Sequence, residues 1–209
     1  GGDPADAISR LKATLPIYSD LKHENLIELI EAKEIGDGFA MVFKWADSDC
    51  MGRMYPAAHR RFMQLPINDR LAVFSDILSF LECVASRKYV AIDFYDGSIM
   101  YDFANGKTTI CDIDLFHKQP CVNDMGRMWG SSRFQSPEEY QLGADIDEIT
   151  NVYTLGATAF ALFGEYNRTR EKWQLSDKLF EIATRAVSDD RTKRQQSIRQ
   201  FTAEWEAAQ

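Results

Sequence analysis

Apolar residues recur at intervals of three or four positions in two segments of the chain, and this spacing places side chains on one face of an α-helix. The residues on these two faces are Leu71, Phe74, Leu78 and Leu81 in the first segment and Ile198, Phe201 and Trp205 in the second. Asn68, which follows Pro66, is expected to cap the first of these helices. The stretch 152–163 is apolar on nearly every side, which predicts a fully buried helix.

The first twenty residues carry a third helical pattern that a proline interrupts. Ile8, Leu11 and Leu15 lie at helical spacing between Pro4 and Lys22. Proline has no backbone N–H and clashes with the preceding turn. We therefore expect a helix that ends or kinks at Pro16.

Four short segments have the residue preferences of β-strands. They are 26–32 and 39–45, followed later by 98–101 and 108–111. Gly36-Asp37-Gly38 separates the first two and Asn105-Gly106 the last two, and both are hairpin-turn sequences. Residues 115–133 show neither the helical spacing of apolar residues nor the residue preferences of a strand, and we expect them to be irregular. The order is a small piece with helix and strands, followed by a helical piece with one inserted hairpin.

Composition excludes several classes of protein. The 209 residues are 45% apolar and 27% charged, which is typical of soluble globular domains. No apolar run reaches the length of a membrane span. The net charge of −8 argues against a nucleic-acid partner, which needs a basic surface. Cys50, Cys83, Cys111 and Cys121 are too widely spaced for a zinc site. The start Gly1-Gly2-Asp3-Pro4 lacks the apolar run of a secretion signal, so we expect a cytoplasmic protein with reduced thiols.

The candidate chemistry lies among five aspartates between positions 93 and 114. Asp93 and Asp112 each follow an apolar stretch, and the predicted hairpin between them returns the chain to its start. The two carboxylates could therefore converge on a cation such as Mg²⁺. An aspartate at such a position is also commonly a turn residue that caps a loop.

Six segments, in order, resemble the motifs of protein kinases, most closely divergent Ser/Thr kinases of the bacterial type. They are 23–27, 93–100, 112–114, 130–138, 151–156 and 190–194. Asp93 aligns with the catalytic aspartate, Asp112-Ile113-Asp114 with the D-F-G motif and Ser136-Pro137-Glu138 with the A-P-E motif. The resemblance implies an α+β, two-lobed kinase-like fold with a truncated N-terminal lobe and a mainly helical C-terminal lobe. Residues 1–46 would be the remainder of the first lobe (helix C, strands 4 and 5, hinge) and residues 47–209 the second.

The resemblance also implies a role for individual residues. Asp93 would orient the attacking hydroxyl, and Asp112 would hold Mg²⁺, assisted by Ser98 and Asp96. The residues expected around ATP are Phe43 at the back of the pocket, the backbone of Lys44, Trp45 and Ala46 against the adenine, and Asp49 at the ribose. Glu138 and Arg194 would form a buried structural ion pair. The partners would be a nucleotide and a protein substrate.

The chain departs from the kinase pattern at several catalytic positions. Ala91 and Ile92 replace the usual histidine and arginine, Tyr95 replaces a lysine that contacts the transferred phosphate, and Ser98 replaces an asparagine. Neither a glycine-rich loop nor the lysine of the third strand is present, so we expect a chain that starts after the phosphate-covering strands and transfers phosphate poorly. Two alternatives stay open, a pseudokinase that serves as a binding module and a small-molecule phosphotransferase. The segment 136–138 argues against the latter.

Overall fold

The computed structural model describes residues 4–209, and the fold is α+β. Gly1–Asp3, on which the expectation about a secretion signal mainly rests, lie outside the described residues. Seven α-helices occur in this part of the chain: α1 (Pro4–Ala13), α2 (Leu15–Asp20), α3 (Pro56–Met63), α4 (Ile67–Ser86), α5 (Glu148–Phe163), α6 (Asp177–Ala186) and α7 (Ile198–Glu206). None of these helices combines the length and apolar character needed to cross a bilayer.

The strands are short and pair only antiparallel. Within residues 4–209 they are β1 (Leu29–Ile35), β2 (Gly38–Phe43), β3 (Asp49–Cys50), β4 (Tyr89–Val90), β5 (Ile99–Asp102), β6 (Lys107–Ile110), β7 (His117–Lys118), β8 (Cys121–Val122) and β9 (Asp145–Ile146). They form a β1–β2 hairpin, a three-stranded sheet in the order β3-β5-β6, and the pairs β4–β7 and β8–β9. The two longer hairpins are those that the turn sequences predicted.

The N-terminal helical region breaks where a proline was expected to interrupt it. α1 ends at Ala13, and α2 begins at Leu15 with Pro16 in its first turn, where a missing N–H costs nothing. The first predicted strand was placed three residues too early. Leu26 makes only an isolated bridge to Ile110, and the regular ladder starts at Leu29.

The long helix α4 begins one residue before the predicted cap. Pro66 precedes its first residue Ile67, and Asn68 lies inside the first turn, so the assignment of Asn68 as the cap was wrong. Proline fixes the backbone angle φ at a value that suits a helix start, and here it sets the boundary. The predicted apolar face is correct, since Phe74 and Leu81 are fully buried.

The helix α5 lies at the centre of the helical part, as its all-round apolar sequence predicted. Every residue from Thr150 to Phe163 is buried, and α4, α6 and α7 pack around it. A Cβ on Gly156 would lie 2.6 Å from the Cβ of Ala186, so glycine is what permits the close approach of α5 and α6. The face of α7 with Ile198, Phe201 and Trp205 is fully buried, as predicted.

Candidate functional site

The loop that carries Asp93 is fastened to the buried helix α5 by one side chain. The Asn151 Oδ1 accepts a hydrogen bond from the Ala91 N–H (2.8 Å), and its Nδ2 donates to the carbonyl of Tyr89 (3.0 Å). Asn151 has no exposed surface, so both bonds are shielded from water. The start of the loop therefore has a fixed position relative to the core.

Asp93 lies in a strained and partly buried position within this loop. Its φ of 61° is in the left-handed region, which aspartate tolerates better than most residues. The backbone N–H of Ser131 is near enough to act on its carboxylate and to lower its pKa. Burial, with the negative charge of Asp112 as the next cause, raises the pKa of Asp93 to about 6, and the Ser131 N–H only partly offsets this effect. The carboxylate is thus held where its charge is poorly compensated.

Asp112 has a closely similar environment on the other side of the β5–β6 hairpin. Its φ is 57°, and burial followed by the charge of Asp114 raises its pKa. The negative charge of Asp112 acts on Asp93, and the position of both carboxylates in one cleft stays a prediction. Within residues 4–209, neither forms an ion pair with a lysine, arginine or histidine.

Ser98 is paired through its backbone with Cys111, the residue before Asp112. Its hydroxyl is buried and has no hydrogen-bond partner, while its carbonyl accepts the Cys111 N–H at 2.9 Å. A buried hydroxyl without a partner costs free energy unless another group binds it. Two carboxylates and a hydroxyl fit the oxygen preference of Mg²⁺. No group of three or more His, Cys, Asp or Glu side chains suited to a metal occurs in the described chain.

The Asp96 carboxylate is buried and engaged by three donors of the protein. It is 4% exposed, and its oxygens accept hydrogen bonds from the Arg133 Nη2 (3.0 Å), the Tyr166 hydroxyl (2.7 Å) and the Arg53 N–H (3.1 Å). That Asp96 adds charge at a metal stays a prediction, and its carboxylate would do so while it also binds these three donors. Asp114 accepts the Tyr18 hydroxyl at 2.9 Å.

The residues expected around an adenine lie at the end of β2 and just after it. The ring of Phe43 packs 5.1 Å from that of Tyr18, whereas Trp45 is 87% exposed. In the described chain, no hydrogen bond engages the carbonyl of Lys44 or the N–H of Ala46, so one acceptor and one donor are available.

The other features near this segment lie apart from the aspartates. Asp49 is exposed, with an oxygen 3.9 Å from Arg61. A cavity of about 820 Å³ borders Tyr18 and the segment 44–48 but neither Asp93 nor Asp112. The cavity and the carboxylates are therefore different features.

Glu138 and Arg194 form a bidentate, buried ion pair. The distances are 2.7 Å between Arg194 Nη1 and Glu138 Oε1 and 2.9 Å between Nη2 and Oε2. Thr150 donates its hydroxyl to the same carboxylate at 3.0 Å. Burial acts to raise the pKa of Glu138, but the hydrogen bonds and positive charge of Arg194 bring it below its ordinary value.

Sequence reasoning missed the network around Asp96. Arg53, Arg133 and Tyr166 are distant in sequence from one another and follow no recognisable spacing, so the sequence contains no signal that would join them. Asn151 begins the kinase-like segment 151–156, but its two hydrogen-bond partners, Ala91 and Tyr89, appear only in the structure.

Comparison with known proteins gives one distant similarity. The chain is 20% identical over 178 residues to mitogen-activated protein kinase kinase kinase 1b of Physcomitrium patens, and the match covers 82% of this chain and 22% of the relative. The chain thus spans about a fifth of the relative's length. No protein-family model matches the chain. A distant relationship to protein kinases is what the comparison supports.

Proposed function

We propose that the chain is a divergent protein-kinase-like domain of the cytoplasm, in which Asp93 and Asp112 form the phosphoryl-transfer site for a protein serine or threonine. Residues 1–46 would belong to a reduced first lobe, and residues 47–209 would form the second. The observation that carries the proposal is that Asp93 and the neighbouring charge of Asp112 form no ion pair within the described residues, while the buried hydroxyl of Ser98 has no hydrogen-bond partner there. The distant similarity to a kinase gives independent support.

The residues of the site have distinct parts in this proposal. Asp112 and Ser98 would hold Mg²⁺, which when bound to ATP neutralises phosphate charge. Asp93 would accept a hydrogen bond from the substrate hydroxyl and take its proton. A pKa near 6 suits a group that accepts a proton at neutral pH. The Lys44 carbonyl and Ala46 N–H would bind the adenine edge.

A pseudokinase that binds nucleotide or protein without transfer is the second candidate. Tyr95 occupies the position where the kinase motif has a lysine, and within the described residues neither carboxylate forms an ion pair. Loss of such a charge removes stabilisation from the transition state rather than from the bound nucleotide. Binding and transfer are therefore separable in this site. No contact favours a small-molecule substrate.

Titration with a fluorescent ATP analogue, with and without Mg²⁺, tests the proposal. We expect saturable binding that needs Mg²⁺ and that Asp112→Asn abolishes. Asp189→Asn, which alters an exposed aspartate after α6, is the matched control and should bind as the wild type does. Binding that is absent in the wild type, or equal in both variants, would refute a nucleotide site at Asp112. Transfer of labelled phosphate to a serine peptide then separates an enzyme from a pseudokinase.

A further inference from the structure

We infer that this protein binds an acidic peptide segment along three exposed arginines beside the Asp93 loop. We call Arg53, Arg133 and Arg168 the arginine strip. One part of the inference rests on the proposed function: that the bound peptide carries the serine or threonine hydroxyl that accepts the phosphate. Binding itself requires neither nucleotide nor transfer.

The arginine strip is a connected row held by two tyrosine rings. The guanidinium carbons of Arg53 and Arg133 lie 5.1 Å and 5.2 Å from the centre of the Tyr166 ring. Arg168 donates to the carbonyl of Arg133 (3.3 Å) and to the Tyr153 hydroxyl (2.9 Å), and it lies over the Tyr153 ring. These contacts fix the direction of three side chains that would otherwise be mobile, which lowers the entropy cost of binding.

The arginine strip has more positive charge than its neighbours neutralise. Asp96 is the carboxylate that pairs with Arg133, and it is already satisfied by three donors. In the described chain, Arg53 and Arg168 form no ion pair. One carboxylate for three guanidiniums leaves two positive charges facing solvent, on a protein whose net charge is −8. Such a local excess attracts an anionic ligand.

The position of the arginine strip favours a short acidic peptide over a polyanion. Arg133 donates to Asp96 at 3.0 Å, and Asp96 lies three residues after Asp93 in the same loop, so a chain along the strip would continue towards Asp93. Acidic side chains on such a peptide could reach the guanidiniums, which bind carboxylates in a bidentate manner. A nucleic acid would extend beyond the strip and meet the acidic remainder of the surface.

Fluorescence anisotropy with labelled peptides, in the absence of nucleotide, tests this inference. The peptides have equal length and one serine, flanked by Glu, by Gln or by Lys. We expect the Glu peptide to bind tightest and its affinity to fall as salt is raised. Arg53→Gln with Arg168→Gln should weaken it by about tenfold, given the value of two exposed ion pairs. Arg53→Glu alone should also weaken binding of the Glu peptide. The Arg53 side chain contacts the Tyr166 ring, so this variant disturbs little of the fold.

The matched control removes two arginines that make no contact with the arginine strip. Arg87→Gln with Arg199→Gln should leave the affinity unchanged. Equal affinity for the Glu and Lys peptides, equal effects of the two double variants, or equally tight binding of a single-stranded oligonucleotide would overturn the inference. Acidic-peptide binding in a protein that binds no Mg²⁺–nucleotide would support the arginine strip while refuting the proposed phosphoryl-transfer site.

Discussion

Arg194 and Glu138 are 56 positions apart in sequence and are joined by two parallel hydrogen bonds of 2.7 and 2.9 Å in the protein interior. This pair joins Arg194, which follows the 3₁₀ turn Arg191–Lys193, to the segment 136–140, which precedes α5. The carboxylate also accepts the Thr150 hydroxyl from α5 itself. Three separate parts of the chain therefore meet at one buried charge.

Glu138→Gln should lower the free energy of unfolding by about 3–5 kcal/mol, because it leaves the buried Arg194 guanidinium without a counter-charge. Chemical denaturation monitored by tryptophan fluorescence measures this. Glu34→Gln is the matched control, since Glu34 pairs with Lys12 on the exposed surface, where an ion pair is worth about 0–1 kcal/mol. Equal losses in the two variants would contradict a structural role of the buried pair.

Asn151→Asp should destabilise the protein although the two side chains have the same shape. Asn151 donates to the Tyr89 carbonyl and accepts from the Ala91 N–H, and a carboxylate cannot donate. The unmatched carbonyl should cost about 1–3 kcal/mol. Thermal unfolding of Asn151→Asp at pH 7 measures the loss, and Asn151→Ala provides the comparison. Unchanged stability of Asn151→Asp would show that the donated bond is unimportant.

Asp93→Asn should stabilise the protein without metal, and only at neutral pH. The folded state keeps the Asp93 proton up to about pH 6, whereas the unfolded chain releases it near 3.8. The charged carboxylate therefore destabilises the folded state above pH 6, and this penalty vanishes below about pH 4. We expect a gain of about 1–2 kcal/mol at pH 7, after allowance for partial exposure. Denaturation at pH 7 and at pH 4 tests this, and an equal gain at both would exclude the proposed cause.

Tyr95→Lys should raise the rate of phosphate transfer, because it places a cation beside the carboxylates. The charges of Asp112 and Asp93 act on the Tyr95 hydroxyl and, after burial, help to raise its pKa, so this side chain reaches their vicinity. One added electrostatic donor at an active site is worth about 3 kcal/mol in the transition state. The measurement is the rate at which labelled phosphate is transferred from ATP to a serine peptide. Tyr95→Gln, of similar length but uncharged, should give no gain.

The sequence predicted the helical core well because its signals are local. The period of α7 and the all-round apolar character of α5 depend only on residues within one helix, and both predictions are confirmed. The hairpin turns are likewise short-range. The start of β1 was missed because Leu26 and Ile27 pair with Ile110, a contact that no local pattern reveals.

The candidate site was only partly predictable, because contacts between residues distant in sequence leave no local pattern. Asp93 and Asp112 stand out because each follows an apolar stretch at the border of a hairpin. Asp96 has a similar local sequence, yet it is bound by Arg133 and Tyr166, which lie 37 and 70 positions away. Whether a carboxylate is free or already paired depends on such distant donors.

Binding of Mn²⁺ followed by electron paramagnetic resonance tests the central claim most directly, since Mn²⁺ accepts the same oxygen ligands as Mg²⁺. With ATP present, we predict that the chain takes up Mn²⁺, that Asp112→Asn abolishes the uptake, that Ser98→Ala weakens it and that Asp189→Asn leaves it unchanged. Uptake that survives in Asp112→Asn, or that never exceeds that of ATP alone, would contradict a metal–nucleotide site at these residues.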